Sequence, residues 1–141
     1  PDGSVFVATD RGVWRWHDGQ FTELVIPGAK WTTHGSLVVC GPDGRIWLSH
    51  RGTLYRSHGD ELQMEREFEA TINALAVSPD GDLWCEQGGE VLKFQPGKAP
   101  TDTGIRVGRV TAFRSGAGGD WWVASREKGS DGPHGIDRRR L

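Results

Sequence analysis

The sequence predicts an all-β chain built from repeated antiparallel sheets of four short strands, and three observations predict it. Two short motifs recur in the same order four times, at a spacing of about forty residues. Glycine and proline are abundant, 21 and 7 among 141 residues, against a hydrophobic share of only 35%, a composition that suits many turns between short strands. Apolar residues come in short runs, without the 3.6-residue periodicity of a long helix.

The first motif starts at Gly3, Gly44, Gly81 and Gly119, which lie 41, 37 and 38 residues apart. Three positions after each glycine stands an aromatic residue, Phe6, Trp47, Trp84 or Trp122, preceded by Val5, Ile46, Leu83 or Trp121. Three of the copies open with Pro-Asp-Gly. The second motif starts at Gly12, Gly52, Gly89 and, after an insertion, Gly135. In it the apolar residues Val13, Leu54, Val91 and Ile136 are each followed two places on by a cation, Arg15, Arg56, Lys93 or Arg138. Two motifs that keep their order through four copies mark a structural repeat.

The elements follow in order. Pro-Asp-Gly supplies the first hairpin of each unit, because proline presets φ for a turn corner and glycine takes a positive φ. Runs of strand length fall at 37–40, 46–49, 54–56 and 62–65, then at 74–77, 83–85 and 91–94. A second set of turns sits at His17-Asp18-Gly19, His58-Gly59-Asp60 and Gln95-Pro96-Gly97. Four strands per unit of about forty residues is the period of a β-propeller blade. The chain holds about three and a half blades, with approximate bounds 1–27, 28–66, 67–104 and 105–141.

Neighbouring apolar pairs such as Val13-Trp14 and Val91-Leu92 point to opposite sides of a strand, so both faces of the sheets are expected to be covered. Blades stacked face to face supply that cover. Each repeated aromatic, Phe6, Trp47, Trp84 or Trp122, is then inter-blade packing that buries on the order of 150–250 Å². That is a gross gain of roughly 4–6 kcal/mol by area. The motif cations are expected to lay their stems along the blade.

The pattern Pro-Asp-Gly-x-Φ-Trp followed by Gly-Φ-x-Arg resembles the two-component regulator propeller repeats, whose blades show Asp-Gly-x-Φ-Trp-Φ-x-Thr and then Gly-Φ-x-Arg. The resemblance covers nearly the whole chain: one copy lacking its first strand, two whole copies, and one lacking its fourth. The closing threonine is kept as Thr9, with His50, Gln87 and Ser125 in the other copies. Phe6 replaces the first tryptophan, and the last copy carries an insertion. The resemblance implies the extracytoplasmic sensor portion of a bacterial membrane signalling protein, periplasmic or extracellular, which binds a ligand and does not catalyse. The segment itself carries no kinase, cyclase or receiver motif.

Composition and spacing exclude other classes. Lys plus Arg (17) nearly balances Asp plus Glu (19), for a net charge of −2, which is not the footprint of a nucleic-acid binder. No apolar run is long enough to span a membrane. Cys40 and Cys85 lie inside apolar runs and read as buried free thiols. The five histidines, at 17, 34, 50, 58 and 134, recur at no metal-ligand spacing, so no metal and no cofactor are expected. A propeller enzyme of the lactonase or streptogramin-lyase kind is the alternative, since such enzymes share similar strands.

Propeller topology narrows the candidate site. Interblade loops and the turns between second and third strands emerge on one face, the Pro-Asp-Gly turns on the other. The first face displays Trp31, Thr33 and His34, then Asn73 and Arg109, and from the inner turns Asp10, Arg11, His50, Arg51, Arg126 and Lys128. Of these, Trp31, Thr33, His34, His50, Arg51, Asn73, Arg11 and Arg126 are the ligand-binding candidates. An aromatic ring among cations suits a carbohydrate or other polar small ligand, an acidic sugar in particular. Three and a half blades do not close a ring, and an open arc exposes apolar faces. The sequence is therefore expected to be a segment of a longer chain whose remaining blades are its partners.

Overall fold

A computed structural model describes residues 2–27, 31, 36–115, 120–126 and 135–140. Every described regular element is a β-strand. Among the described residues, fourteen strands form four antiparallel sheets. The chain divides into two compact units, Pro1–Glu69 and Ala70–Leu141, each holding two sheets.

In the first unit, β1 (Val5–Ala8), β2 (Val13–His17) and β3 (Gln20–Leu24) form one sheet in chain order. The second sheet runs β4 (Leu37–Cys40), β5 (Ile46–His50), β6 (Thr53–His58) and β7 (Glu61–Glu67). Local chemistry sets the hairpin between β4 and β5. Pro42 occupies the first corner, the Gly44 N–H donates to Gly41 O at 3.1 Å, and the Gly41 N–H donates to Arg45 O at 2.7 Å. Gly44 has φ +75°, the left-handed residue that lets a type I turn enter a right-twisted hairpin.

The two sheets meet over Val13, Leu24 and Ile26 of the first and Ile46, Leu48 and Leu62 of the second, with Phe6, Ala8, Trp31, Val38 and Tyr55 packed around them. Past β3 the chain crosses to the next sheet. Val25 donates to Asp60 O at 3.1 Å and accepts from the Leu62 N–H at 2.9 Å, and Arg15 reaches Asp60 at 3.4 Å.

The second unit repeats the plan. Here β8 (Ile72–Val77), β9 (Leu83–Gln87), β10 (Glu90–Phe94) and β11 (Thr101–Arg106) form a four-stranded sheet. A three-stranded sheet follows, β12 (Arg109–Ser115), β13 (Asp120–Arg126) and β14 (Gly135–Arg140). The core between them gathers Ala74, Ala76, Trp84 and Val91 with Val110, Phe113, Trp121 and Val123. Trp84 and Trp121 lie with ring centroids 4.8 Å apart, a tilted contact suited to the ring quadrupoles.

Strand register explains why the two sequence motifs travel together. The motif aromatic and the motif cation are direct cross-strand partners in all four sheets: Phe6 with Arg15, Trp47 with Arg56, Trp84 with Lys93 and Trp122 with Arg138. Arg56 lies 5.2 Å from the Trp47 ring centroid and Lys93 5.7 Å from that of Trp84, within cation–π range. The same cations bind carboxylates at the first hairpins: Arg56 pairs with Asp43 of Pro42-Asp43-Gly44 at 2.8 Å, and Lys93 with Asp82, the residue after Pro79-Asp80-Gly81, at 2.6 Å. Burial alone would raise the Asp82 pKa, but hydrogen bonds from Lys93 and Gln95 and the Lys93 charge outweigh it and hold the pKa down.

Two residues and one sheet face depart from the sequence expectation. Trp122 is 44% exposed, whereas Trp47 and Trp84 are buried. Strand alternation turns it to the opposite face of β13 from Trp121 and Val123, and it is Trp121 that packs against Trp84. Cys40 is exposed, and only Cys85 is buried. Cys40 ends β4 at the mouth of a hairpin, where the sheet no longer covers it. Burial, with Glu86 beside it, pushes the Cys85 thiol up to about 12, so it stays protonated and unreactive. The first sheet also leaves one face open: Val5 and Val7 are 53% and 40% exposed, and Trp16 and Phe21 continue the Val5 row across the strands.

Candidate functional site

Three chain segments of the first unit place the candidates. The turn after β1 contributes Arg11, which is exposed. Thr9 shapes that turn: its hydroxyl donates to Gly12 O at 3.1 Å and accepts from the Arg11 N–H at 3.1 Å, a local hydroxyl turn. The segment after β3 contributes Trp31, and the turn between β5 and β6 contributes His50 and Arg51.

Trp31 joins the three. Its ring lies 4.9 Å from that of His50, tilted by 56°. Gly12 lies beside its indole nitrogen: a Cβ at that position would sit 3.6 Å from Trp31 Nε1 and 3.1 Å from Glu23 Oε1. The missing side chain lets the β1–β2 turn lie against the indole.

His50 is buried at the end of β5, and its Nδ1 lies 2.8 Å from Ser36 Oγ. Its Nε2 is buried and has no hydrogen-bond partner among the described residues. Burial, and secondarily the Arg51 charge, lower the His50 pKa below 6.5, so the ring is neutral at pH 7. A sign follows for stability. The unfolded chain takes up this proton first, so the contribution of His50 is fully present above pH 6.5 and is lost as pH falls toward and through the lowered folded value. Thermal unfolding between pH 7.5 and 5 is expected to show a steeper loss of Tm for the native chain than for His50→Gln; parallel curves would contradict this.

Arg11 and Arg51 form no ion pair with any described residue, while Arg15, Arg56, Lys93 and Arg106 all do. The arrangement therefore offers a half-buried indole braced by a buried imidazole, and two exposed cations on turns. Such groups can stack on a ring or sugar and hold an anionic substituent.

The other candidates fall elsewhere. Thr33, His34 and Lys128 lie outside the described residues. Arg109 and Arg126 are described by backbone alone, paired with each other across β12 and β13. Asn73 belongs to the second unit, half-buried at an irregularity between Ile72 and Ala74 in β8. Among the described residues no group of three His, Cys, Asp or Glu side chains could hold a metal ion.

One buried group escaped the sequence reading. Glu86 is 1% exposed. Its Oε1 accepts the Gly89 N–H at 2.6 Å, and its Oε2 is buried with no hydrogen-bond partner among the described residues. The equivalent positions, two residues past the motif aromatic, hold Ala8, Ser49 and Ala124. That contrast between copies was the available signal.

No protein-family model and no curated protein matches the chain. Its fold does match solved structures. The extracellular domain assigned to a one-component system of B. thetaiotaomicron aligns with TM-score 0.75 and 14% identity over 99% of this chain and 20% of that one. A protein assigned as a gluconolactonase aligns with TM-score 0.68 and 17% identity over 87% of this chain and 54% of that one. A streptogramin B lyase aligns with TM-score 0.67 and 12% identity over 99% of this chain and 52% of that one. The chain is a partial β-propeller. It spans a fifth of the first of these structures and about half of the other two. Among the described residues no helix is long and apolar enough to cross a membrane.

Proposed function

We propose that the chain is part of a ligand-binding sensor module, an extracytoplasmic propeller segment of a signalling protein, which takes a polar small ligand such as an acidic sugar. The observation that carries this reading is the Trp31–His50 pair beside the turns that bear Arg11 and Arg51. Its strand residues are committed to packing, and its turns carry the groups suited to recognition. The extracellular sensor domain among the fold neighbours supports the same reading.

Further blades of the same repeat are the proposed partners. The open positions Val5 and Val7 correspond to Ile46 and Leu48, Leu83 and Cys85, and Trp121 and Val123, all of them buried.

Thermal shift with a panel of neutral and acidic sugars tests the proposal. Stabilisation without turnover is expected, with a smaller shift for Trp31→Ala. An unaltered shift in Trp31→Ala would remove this site from consideration. The second reading, a fragment of a lactonase- or lyase-type propeller enzyme, draws on the Ser36–His50 contact and on the two enzyme neighbours. It predicts turnover of a lactone or cyclic ester that a chelator abolishes.

A further inference from the structure

Among the described residues, three two-residue hairpin turns have both corners at positive φ. They are Asp18-Gly19 at +48° and +80°, Gly88-Gly89 at +60° and +93°, and Arg51-Gly52 at +51° and +78°. Turns of this kind select Asn, Asp or Gly at the first corner, because a longer side chain there crowds the backbone. Two of the three turns comply. Arg51 is the exception.

The turn is fixed in place. His50 and Thr53 are cross-strand partners on either side of it, and Gly52 O accepts the Phe68 N–H at 2.9 Å. Arg51 thus sits in a strained conformation with no ion pair to a described residue, exposed, and next in sequence to the buried ring that packs, tilted, against Trp31. Strain of this type persists where the surroundings enforce it, and it concentrates at binding sites.

We infer that Arg51 occupies this corner because its guanidinium anchors the anionic group of the ligand held at Trp31 and His50. The inference rests on the reading of that site given above and adds the ligand's charge and the residue that selects it. With His50 neutral, the positive charge must come from the turns. A guanidinium on a rigid hairpin corner can donate two parallel hydrogen bonds to a carboxylate. Strain relief and recognition then pull in opposite directions at one position.

Replacement separates them. Arg51→Asn fits a positive φ and is expected to raise the Tm of the ligand-free chain by roughly 2–5 °C. It should also abolish the thermal shift produced by glucuronate. Arg51→Lys keeps the strain and the charge but loses the fork, so its ligand-free Tm stays near the native value and part of the glucuronate shift remains. Glucose, which lacks the carboxylate, should behave alike with the native chain and Arg51→Asn. If Arg51→Asn keeps the full glucuronate shift while Trp31→Ala loses it, the site stands and the role of Arg51 falls. A Tm for Arg51→Asn at or below the native value overturns the strain argument. No glucuronate shift in the native chain overturns both this inference and the site.

Discussion

Replacing Trp84 with alanine is expected to destabilise the chain by about 3–5 kcal/mol, the range for deleting a large buried aromatic side chain. The indole fills the centre of the second unit's core, 4.8 Å from Trp121, whose ring is in turn 5.1 Å from Phe113. Its removal leaves a void between the two sheets of this unit, which are too rigidly hydrogen-bonded to collapse into it. Lys93 also loses the ring beneath it. Trp122→Ala supplies the internal comparison: it deletes the same indole one residue further along β13, on a face where the ring is 44% exposed, and should cost markedly less. Urea titrations of the two variants check this; equal midpoints would mean that Trp84 is not what joins these sheets.

The second large effect is expected at Gly89. Its φ is +93°, and a Cβ there would stand 3.0 Å from the carbonyl oxygen of Val107. That oxygen belongs to backbone already tied to the same turn, since the Val107 N–H donates to Gly89 O at 2.9 Å, so it cannot retreat without breaking the bond. Gly89→Ala therefore combines left-handed strain with a clash and should cost about 2–3 kcal/mol. Gly88→Ala, at φ +60° with nothing within 4 Å of the new atom, carries the strain alone and should cost about 1–2 kcal/mol. Equal losses in the two variants would locate the whole cost in backbone conformation and dismiss the contact.

Much of the fold was legible because its signals are local. A Pro-Asp-Gly turn, a left-handed glycine and a strand-length apolar run each act within a few residues, and repetition multiplied their weight. The pairing of motif aromatic with motif cation was visible as a fixed spacing, though only strand register reveals that the two are cross-strand neighbours. What the sequence could not show depends on which face a residue takes relative to the next sheet. Trp121 and Trp122 are adjacent and chemically identical, yet one is core and the other is 44% exposed. The candidate site was legible in part. Trp31, His50, Arg51 and Arg11 were recognisable as loop or turn residues of suitable chemistry, but the tilted contact of Trp31 with His50 joins residues 19 positions apart through tertiary packing. The strain at Arg51 appears only in backbone angles. Glu86 looked like an ordinary polar strand residue, and its isolation inside the sheet comes from neighbours that no local pattern encodes.

The cross-strand pairing of motif aromatic with motif cation ties adhesion to a two-residue parity. An insertion of one residue inside a strand would send the indole to the wrong side and separate it from its cation, whereas added residues at a hairpin tip leave that parity untouched. Lengthening is therefore harmless at the tips and ruinous within the strands.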